Sequence, residues 1–257
     1  MMLSVSIVTF NNEAVIKACL RNIFKYTCKY DFKVMIVDNN SSDNTTHMIE
    51  ENFKQVRILK NKKNIGFGAA HNMAIQSAGG KYHLVLNPDI ILQEDSIGKL
   101  IDFMDNNKDI GLISPKTVFP DGSIQYLCKR EPRLFDLGIM RFTPNFIKRI
   151  FKKRIDYYEM RDTGYDKMMD VPNLSGSFML FRKSVLDRVG GFDENYFIYF
   201  EDTDITRRTA EIARTVFYPD TSVIHLWNRH SHKNIKHFII SLISTAKYFK
   251  KWGWKIF

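Results

Sequence analysis

Cysteine is scarce in this 257-residue chain. Only Cys19, Cys28 and Cys128 occur, an odd number without the close spacing of metal-binding cysteines. A chain of this length can bury a sizeable core without crosslinks. The composition therefore excludes a disulfide-built scaffold. We expect a single large α/β domain in a reducing compartment, the cytoplasm.

Long hydrophobic runs and an excess of acidic residues are also missing. The best apolar run, Phe238–Ala246, falls short of the ~18 residues that cross a membrane. Met1–Val5 lacks a basic leader and is typical of a strand rather than a signal peptide. With 38 Lys and Arg against 28 Asp and Glu, the formal charge is +10. This charge indicates an anionic partner such as a nucleotide, a nucleic acid or a phospholipid surface.

Short apolar strands alternate with helical segments through the first 90 residues. The strands are rich in β-branched residues, and polar or glycine-rich turns separate them from the helices. The alternation predicts a mainly parallel sheet with helices on both faces, in which ligands bind beyond the carboxyl ends of the strands. The predicted strands are Ser4–Thr9, Phe32–Val37, Val56–Leu59 and Tyr82–Leu86; the predicted helices end near Tyr26, cover Asn44–Phe53 and stop at Gly79-Gly80.

The second half of the chain is less regular. Asp121-Gly122 predicts a hairpin turn, and Phe178–Arg182 resumes the sheet. A helix begins at Glu201, and the last 25 residues, from Lys233, predict a basic amphipathic helix.

Two acidic residues directly follow predicted strands. Asp38 begins a polar segment that can form a turn and cap a helix, or can offer its carboxylate to a nucleobase imide N–H; both can hold at once. Asn87-Pro88-Asp89 follows the fourth strand, where proline ends the ladder and leaves Asp89 facing the cleft. One carboxylate alone is a weak metal site, but a diphosphate could supply the other oxygens that Mg²⁺ or Mn²⁺ needs.

Three carboxylates lie within four residues at Glu201-Asp202-Thr203-Asp204. In the first turn of a helix they complement the helix dipole, which would be a structural role. Asp204 and Arg208 are spaced four apart and can pair. Glu201 and Asp202 then remain, and a carboxylate at a helix start is a plausible general base.

Six stretches in order resemble glycosyltransferase family 2, the inverting enzymes of the GT-A fold, over about residues 4–230. Each motif alone is weak, but six at suitable spacing are specific. Asn87-Pro88-Asp89 and the last stretch look most like the rhamnosyltransferase branch, which builds O-antigen, capsule and cell-wall polysaccharides. The stretches are Ser6–Asn11, Val37–Asp43, Asn64–Asn72, Leu86–Asp89, Ser175–Leu180 and Gly191–Asp204.

The resemblance implies a role for each matching position. Asp202 would be the catalytic base with Glu201 beside it, and Asp89 would bind the Mg²⁺ or Mn²⁺ that bridges the diphosphate. Asn87 stands where the family has a first acid, so metal affinity is expected to be modest. His225 is either a further ligand of the metal or diphosphate, or a structural residue. The donor residues would be Thr9, Asn11, Asp38, Asn64, Gly66, Asn72, Asn87 and Asp89, and the acceptor residues Gly176 and Ser177.

The implied fold is one GT-A domain over 1–230, with a nucleotide-sugar half at 1–110 and an acceptor half at 111–230, followed by the helix at 231–257. In the implied reaction Asp202 deprotonates the acceptor hydroxyl, the metal stabilises the leaving diphosphate, and one in-line displacement inverts the anomeric carbon. The first expectation for the donor is dTDP-rhamnose. The alternative is a family 2 transferase that uses a UDP-hexose or a UDP-N-acetylhexosamine.

Two other classes of protein compete with this interpretation. A non-catalytic basic module for nucleic acid or membranes would suit the charge, but it leaves the strand-end carboxylates unexplained, and no RNA-binding motif is present. Gly66 and Gly68 suggest a dinucleotide-binding oxidoreductase, a weak signal because the third spaced glycine is missing. We therefore expect a nucleotide-sugar donor and no nucleic-acid partner.

The resemblance also implies a glycan acceptor on polyprenyl diphosphate, reached by peripheral contact with the inner face of the cell membrane. Lys129–Arg154 carries nine cations among apolar residues, and the C-terminal helix places Trp252 and Trp254 where they can sit at headgroup level. Both segments could instead be surface helices packed on the core. The apolar residues named for docking are Phe142, Ile147, Phe151, Phe238, Leu242 and Phe249, beside Lys247, Lys250 and Lys251.

Overall fold

The computed structural model describes residues 1–27, 29–226 and 235–257. The strands in this part of the chain are β1 (Leu3–Thr9), β2 (Phe32–Asp38), β3 (Arg57–Lys60), β4 (Tyr82–Leu86), β5 (Ile90–Leu92), β6 (Ile110–Val118), β7 (Met169–Asp170), β8 (Phe178–Arg182) and β9 (Arg214–His225). The helices are α1 (Glu13–Tyr26), α2 (Thr45–Asn52), α3 (Phe67–Gln76), α4 (Ser96–Asn106), α5 (Leu134–Phe142), α6 (Asn145–Ile150), α7 (Lys152–Tyr158), α8 (Lys183–Val189), α9 (Glu201–Ala210) and α10 (Ile235–Trp252).

All these strands belong to one sheet in the order β3-β2-β1-β4-β8-β6-β9-β5, with β7 paired to β9. Strands β1 to β4 run parallel, as predicted. The second half is mixed, because β8 is antiparallel to both β4 and β6. Strand β8 begins at the edge where β4 ends, since the Asn87 N–H donates to the Ser177 carbonyl at 2.9 Å. The residues before β8 therefore meet the strand ends of the first half.

The two faces of the sheet bury different helices, because side chains alternate along each strand. Leu84 and Leu86 of β4 belong to a core formed with α1, α2 and α4. Val85, between them, belongs to a second core formed with α3, α8 and α9. Helices cover both faces, which is the predicted α/β architecture.

Two predicted turns have different outcomes. At Asp121-Gly122 the turn is confirmed: the Phe119 N–H donates to the Ser123 carbonyl at 2.8 Å, and Gly122 has a φ of 82°. The helix predicted to stop at Gly79-Gly80 ends earlier, at Gln76. Gly80, with φ +97°, instead forms the tight entry to β4, where a Cβ would lie 3.1 Å from the Met2 carbonyl oxygen.

The C-terminal helix α10 is buried at one end and exposed at the other. Tyr248 and Phe249 are each 1% exposed and pack with Tyr196. The prediction that Phe249 faces lipid is therefore wrong, since the second half of the helix covers the domain. Leu242, about two helical turns earlier, is 47% exposed. Lys233 and the boundary predicted near residue 230 lie outside the described residues, as does Cys28.

Candidate active site

We call the carboxyl ends of β1, β2 and β4, with the loops that follow them, the donor edge. Several of the residues predicted to bind the donor lie there. Thr9 and Asp38 end β1 and β2 and pair in register. The Thr9 hydroxyl donates to the Asp38 carboxylate at 2.8 Å, and the Ser41 hydroxyl and N–H donate to it at 2.5 and 2.9 Å. Asp38 is 3% exposed. Its carboxylate stabilises the turn after β2, as predicted, and its contact with a nucleobase stays a prediction.

Asn11 ties the loop after β1 to the loop after β2. Its side-chain oxygen accepts from the Ser42 N–H at 2.8 Å, and its own N–H donates to the Ser41 hydroxyl at 2.9 Å. Its φ of 57° lies in the left-handed region, which asparagine tolerates better than most residues. The Asn11 side chain lies at the donor edge, as predicted, but its oxygen already accepts the hydrogen bond from Ser42.

The glycine at position 66 brings the donor edge against the segment that precedes α9. Gly66 has a φ of +93°, and a Cβ there would lie 2.3 Å from the Phe197 carbonyl oxygen. The same carbonyl accepts from the Phe67 N–H at 2.9 Å, and Asn64 accepts from the Gly66 N–H at 2.9 Å. The glycine is required here for the close approach of two loops.

Asn72 fastens α3 to the loop before the catalytic segment. Its amide nitrogen donates to the Phe192 carbonyl and to Glu194, both at 2.9 Å, and its oxygen accepts from the Phe192 N–H at 2.8 Å. With 7% exposure and these three partners, Asn72 holds two distant segments together. That it lines the donor pocket stays a prediction.

Asp89 and His225 meet where β5 pairs with the end of β9. Asp89 Oδ1 lies 3.3 Å from His225 Nε2. Gln125, which the sequence did not single out, accepts at its oxygen from His225 Nδ1 at 3.0 Å while its amide donates to the His225 carbonyl at 2.7 Å. Because the Gln125 oxygen can only accept, Nδ1 is the donor in this arrangement, and the ring directs Nε2 at the Asp89 carboxylate.

This pair fits a divalent cation. Asp89 Oδ1 and His225 Nε2 lie 3.3 Å apart, and carboxylate oxygen and imidazole nitrogen both bind Mn²⁺. The contact from Gln125 that orients the imidazole is typical of metal-binding histidines. No group of three or more His, Cys, Asp or Glu side chains suited to a metal occurs within residues 1–27, 29–226 and 235–257. A metal held here would need further oxygens from its ligand.

Asp202 and Glu201 begin α9 and differ in their surroundings. Asp202 is half-buried, and its carboxylate accepts from the Gly176 N–H at 3.0 Å and the Thr203 N–H at 2.8 Å. Burial raises the pKa of Asp202 in spite of these hydrogen bonds. Glu201 is 6% exposed, and its Oε2 has no hydrogen-bond partner in the described structure. Burial, and next the charge of Asp202, raise the pKa of Glu201 well above its usual range.

The predicted acceptor residues lie beside this carboxylate. Gly176 contacts Asp202 through its N–H, and a Cβ at Gly176 would lie only 3.4 Å from Asp202 Cβ. Ser177 is 4% exposed and pairs through its carbonyl with Asn87 at the donor edge. These contacts connect Asp202 to the Asn87-Pro88-Asp89 motif. Acceptor binding by Gly176 and Ser177 stays a prediction.

The backbone before α9 is strained, which the sequence did not reveal. Tyr199 and Phe200 have φ values of 71° and 70°, a conformation that is uncommon for aromatic residues. Such strain costs on the order of 1–3 kcal/mol for each residue and persists only where surrounding contacts enforce it. Tyr248, 5.1 Å from the Phe200 ring centroid, provides one such contact from α10.

Asp204 pairs with Arg208, as predicted, and also binds two residues of α10. Its carboxylate accepts from Arg208 at 2.7 Å, as predicted. It also accepts from the Trp252 indole at 2.8 Å and pairs with Lys251 at 2.7 Å. Trp252 and Lys251 were predicted to face a membrane, but the structure uses both to anchor α10 on α9. Lys247 likewise donates to the Asn195 carbonyl at 2.6 Å.

Comparisons with known proteins agree with this architecture. An N-acetylglucosaminyl-diphospho-decaprenol L-rhamnosyltransferase of Mycobacterium tuberculosis is 30% identical over 210 residues, which cover 75% of this chain and 66% of that protein. The rhamnosyltransferase WbbL of Escherichia coli is 28% identical over 260 residues, covering 96% and 92%. The chain thus spans about two thirds of the mycobacterial relative and most of WbbL.

A solved structure shares the fold. The mannosyltransferase PcManGT from Pyrobaculum calidifontis, in complex with GDP-Man and Mn²⁺, superposes with a TM-score of 0.62 at 17% identity, over 96% of this chain and 69% of that one. The family model for glycosyl transferase family 2 matches residues 4–190. Because that match covers most of the chain, this chain belongs to glycosyltransferase family 2.

Proposed function

We propose that this chain is an inverting glycosyltransferase that moves a sugar from a nucleotide-sugar donor to a growing bacterial surface polysaccharide. One observation carries the proposal: Asp202, a reachable carboxylate of raised pKa, is linked through Gly176 and Ser177 to the strand end that leads to Asp89. The names of the two relatives support rhamnose as the transferred sugar, and the mycobacterial name specifies L-rhamnose. The donor in this proposal is dTDP-rhamnose. A UDP-hexose or UDP-N-acetylhexosamine is the alternative.

Different residues of the chain have different roles in the proposed reaction. Asp202 accepts the proton of the acceptor hydroxyl at a carboxylate oxygen, and its raised pKa increases its affinity for that proton. The Gly176 and Thr203 N–H groups hold the carboxylate in place. Asp89 and His225 would hold Mg²⁺ or Mn²⁺, which when bound supplies Lewis-acid stabilisation of the departing diphosphate.

The acceptor in this proposal is a glycan on polyprenyl diphosphate. The mycobacterial relative is named for an N-acetylglucosaminyl-diphospho-decaprenol acceptor, which supports a lipid-linked acceptor here. No helix in the described part of the chain is both long and apolar enough to cross a bilayer. A chain of this kind would reach a lipid-linked acceptor by contact with the membrane surface.

Exposed apolar side chains on two helices support this membrane contact. In the first half of α10, Ile235, Ile239, Leu242 and Ile243 follow helical spacing and are 74%, 51%, 47% and 49% exposed. On α6, Phe146 and Ile150 are 70% and 77% exposed. The side chains of Phe142 and Ile147 lie outside the described structure. Phe151 packs against Phe135, with ring centroids 5.7 Å apart.

A donor screen tests the catalytic proposal. Thermal shift with dTDP-, UDP- and GDP-sugars in Mn²⁺ should identify one stabilising donor, with dTDP-rhamnose expected. Transfer to an N-acetylglucosaminyl diphosphate acceptor should then follow with inversion at the anomeric carbon. Stabilisation by UDP-hexoses alone would select the alternative, and no response to any nucleotide sugar would refute the proposal.

Sedimentation with anionic liposomes tests the membrane contact. Leu242→Ser with Ile239→Ser should reduce binding at low salt, because both remove apolar area from the exposed stripe. Ser substitution of exposed Ile212, on the turn after α9, is the matched control and should leave binding unchanged. Failure of the wild type to bind anionic vesicles at low salt would refute membrane docking and leave the transferase proposal intact.

A further inference from the structure

A cavity of about 400 Å³ lies on the acceptor side of the site, lined by residues for which no catalytic, donor or acceptor role was predicted. Its size is within the range of small-molecule sites. The segment before α5 contributes Arg130 and Arg133 to its wall, and the end of α7 contributes Tyr157 and Tyr158. The cavity therefore combines aromatic rings with guanidinium groups.

The cavity lies close to the proposed catalytic base. Pro172 forms part of the wall, and the next residue, Asn173, accepts a hydrogen bond from the Thr203 hydroxyl at 3.1 Å. Thr203 directly follows Asp202 in α9. The buried Tyr158 phenol has its pKa raised by burial and then by nearby charges that include Asp202. An acceptor whose hydroxyl meets Asp202 would extend toward this cavity.

The carboxylates of the wall are neutralised from outside the cavity. Glu131 pairs with Lys255 and lies 3.9 Å from Arg207. Asp136 is bound by Arg154 through two nitrogens. Asp170 pairs with Arg214 at 2.9 Å.

The two arginines of the wall differ. Arg130 makes two 2.8 Å contacts with Asp162 and lies 3.8 Å from the centroid of the Tyr157 ring, so its position is fixed. Arg133 is half-buried, and none of the carboxylates in the described residues lies within ion-pair distance of it. Its charge helps to lower the pKa of Glu131, two residues earlier, after the larger effects of Lys255 and Arg207. The wall therefore holds one guanidinium that makes no ion pair with a carboxylate, and this group is suited to forked hydrogen bonds with a phosphate.

We infer that this cavity binds the phosphate ester adjoining the acceptor sugar, with Arg133 as its donor. The inference rests on the proposed function and names the part of the acceptor that this chain recognises. We assign the phosphate to the diphosphate that joins the sugar to its lipid, since the cavity lies beside the base that receives the acceptor. Arg130 is a positioning residue that, with Asp162, fixes the Tyr157 side of the wall.

Arg133→Gln tests the assignment with two acceptors. One is N-acetylglucosaminyl diphosphate on a short isoprenyl chain, and the other is the neutral octyl glycoside of the same sugar. The variant should raise KM for the diphosphate acceptor by roughly 10- to 100-fold, the range for loss of hydrogen bonds to a charged group. KM for the octyl glycoside and for the donor should not change. Arg133→Lys should restore part of the loss, and Arg188→Gln, an exposed arginine on α8, should have no effect.

Three results separate this inference from the alternatives. An equal loss with both acceptors would overturn it, because the effect would then not depend on the phosphate. Arg133-dependent binding of inorganic phosphate, without an effect on KM for the diphosphate acceptor, would assign the cavity to free phosphate and also overturn it. Arg133-dependent binding of the diphosphate acceptor in a chain that transfers no sugar would support the cavity and refute the proposed function.

Discussion

The carboxylates at the two ends of the site have opposite surroundings. Asp38, at the donor edge, accepts three hydrogen bonds from Thr9 and Ser41. Glu201, at the catalytic end, is as deeply buried but has an oxygen that bonds to nothing in the described structure, and its pKa is raised. The first arrangement fixes the Asp38 carboxylate in one orientation. The second keeps the proton affinity of the Glu201 carboxylate high.

The two ends also differ in the range of the contacts that build them. The donor edge follows from neighbouring strands, since Thr9 and Asp38 pair in register. The catalytic end depends on segments far apart in sequence: Gly176 holds Asp202, Gly66 touches Phe197, and α10 packs against Phe200. Damage to distant residues should therefore impair transfer more than donor binding.

The strongest test of the catalytic end is Asp202→Asn. The amide keeps the shape and can still accept from the Gly176 N–H, but it cannot take a proton. Turnover should fall by roughly 10²–10⁴-fold while donor affinity changes little, as measured by initial rates and by donor titration. Asp187→Asn, at an exposed position of α8, should behave as wild type. Near-normal transfer by Asp202→Asn would make Glu201 the candidate base.

At the donor edge, Asp89→Ala should weaken nucleotide-sugar binding in Mn²⁺ by roughly 10- to 100-fold, because a bound metal contributes several kcal/mol of charge stabilisation. EDTA should lower the activity of the wild type to about the activity of the Asp89→Ala variant. Calorimetry with the nucleotide sugar measures the first effect, and Asp220→Ala on the exposed part of β9 is the control. Full activity in EDTA would remove the metal role and leave cationic side chains to stabilise the leaving group.

The two halves of α10 allow a stability comparison within one helix. Phe249→Ala should lower the free energy of unfolding by about 3–5 kcal/mol, because it empties a fully buried ring site. Leu242→Ala, on the exposed half, should change it by less than about 0.5 kcal/mol. Denaturant titration measures both. At a temperature where both variants are folded, Phe249→Ala should also lower the rate of transfer more than the affinity for the donor. An equal loss of unfolding free energy in the two variants would contradict the conclusion that Phe249 anchors α10 on the domain.

The smallest expected effect concerns Glu201 and pH. Its folded pKa lies above the unfolded value of about 4.3, so its contribution to stability is complete below that pH and is lost as pH rises through the folded pKa. Glu201→Gln does not titrate. Its Tm should match the wild type near pH 4 and exceed it increasingly toward pH 8, by roughly 2–4 °C for each kcal/mol. Glu211→Gln, exposed at the end of α9, should show no such trend, and a pH-independent difference for Glu201→Gln would refute the raised pKa.

The sequence by itself determined the alternating strands and helices of the first half, the strand-end positions of Asp38 and Asp89, and the pairing of Asp204 with Arg208. These features follow from local periodicity, turn chemistry and helical spacing, so a short window of residues contains the information. The order of the six motifs was enough to identify the family.

Only the tertiary structure decided which amphipathic residues of α10 face the domain and which carboxylate remains unsatisfied. Phe249 and Leu242 are alike in helical spacing, yet one is buried and the other exposed, because the surface that covers Phe249 comes from Tyr196 and its neighbours. The orientation of His225 by Gln125, the left-handed backbone at Phe200 and the lack of an ion-pair partner for Arg133 among the described residues likewise depend on which groups the fold brings together. Hydrogen bonds, strain and ion pairing of this kind are set by distances in space, which periodicity along the chain does not record.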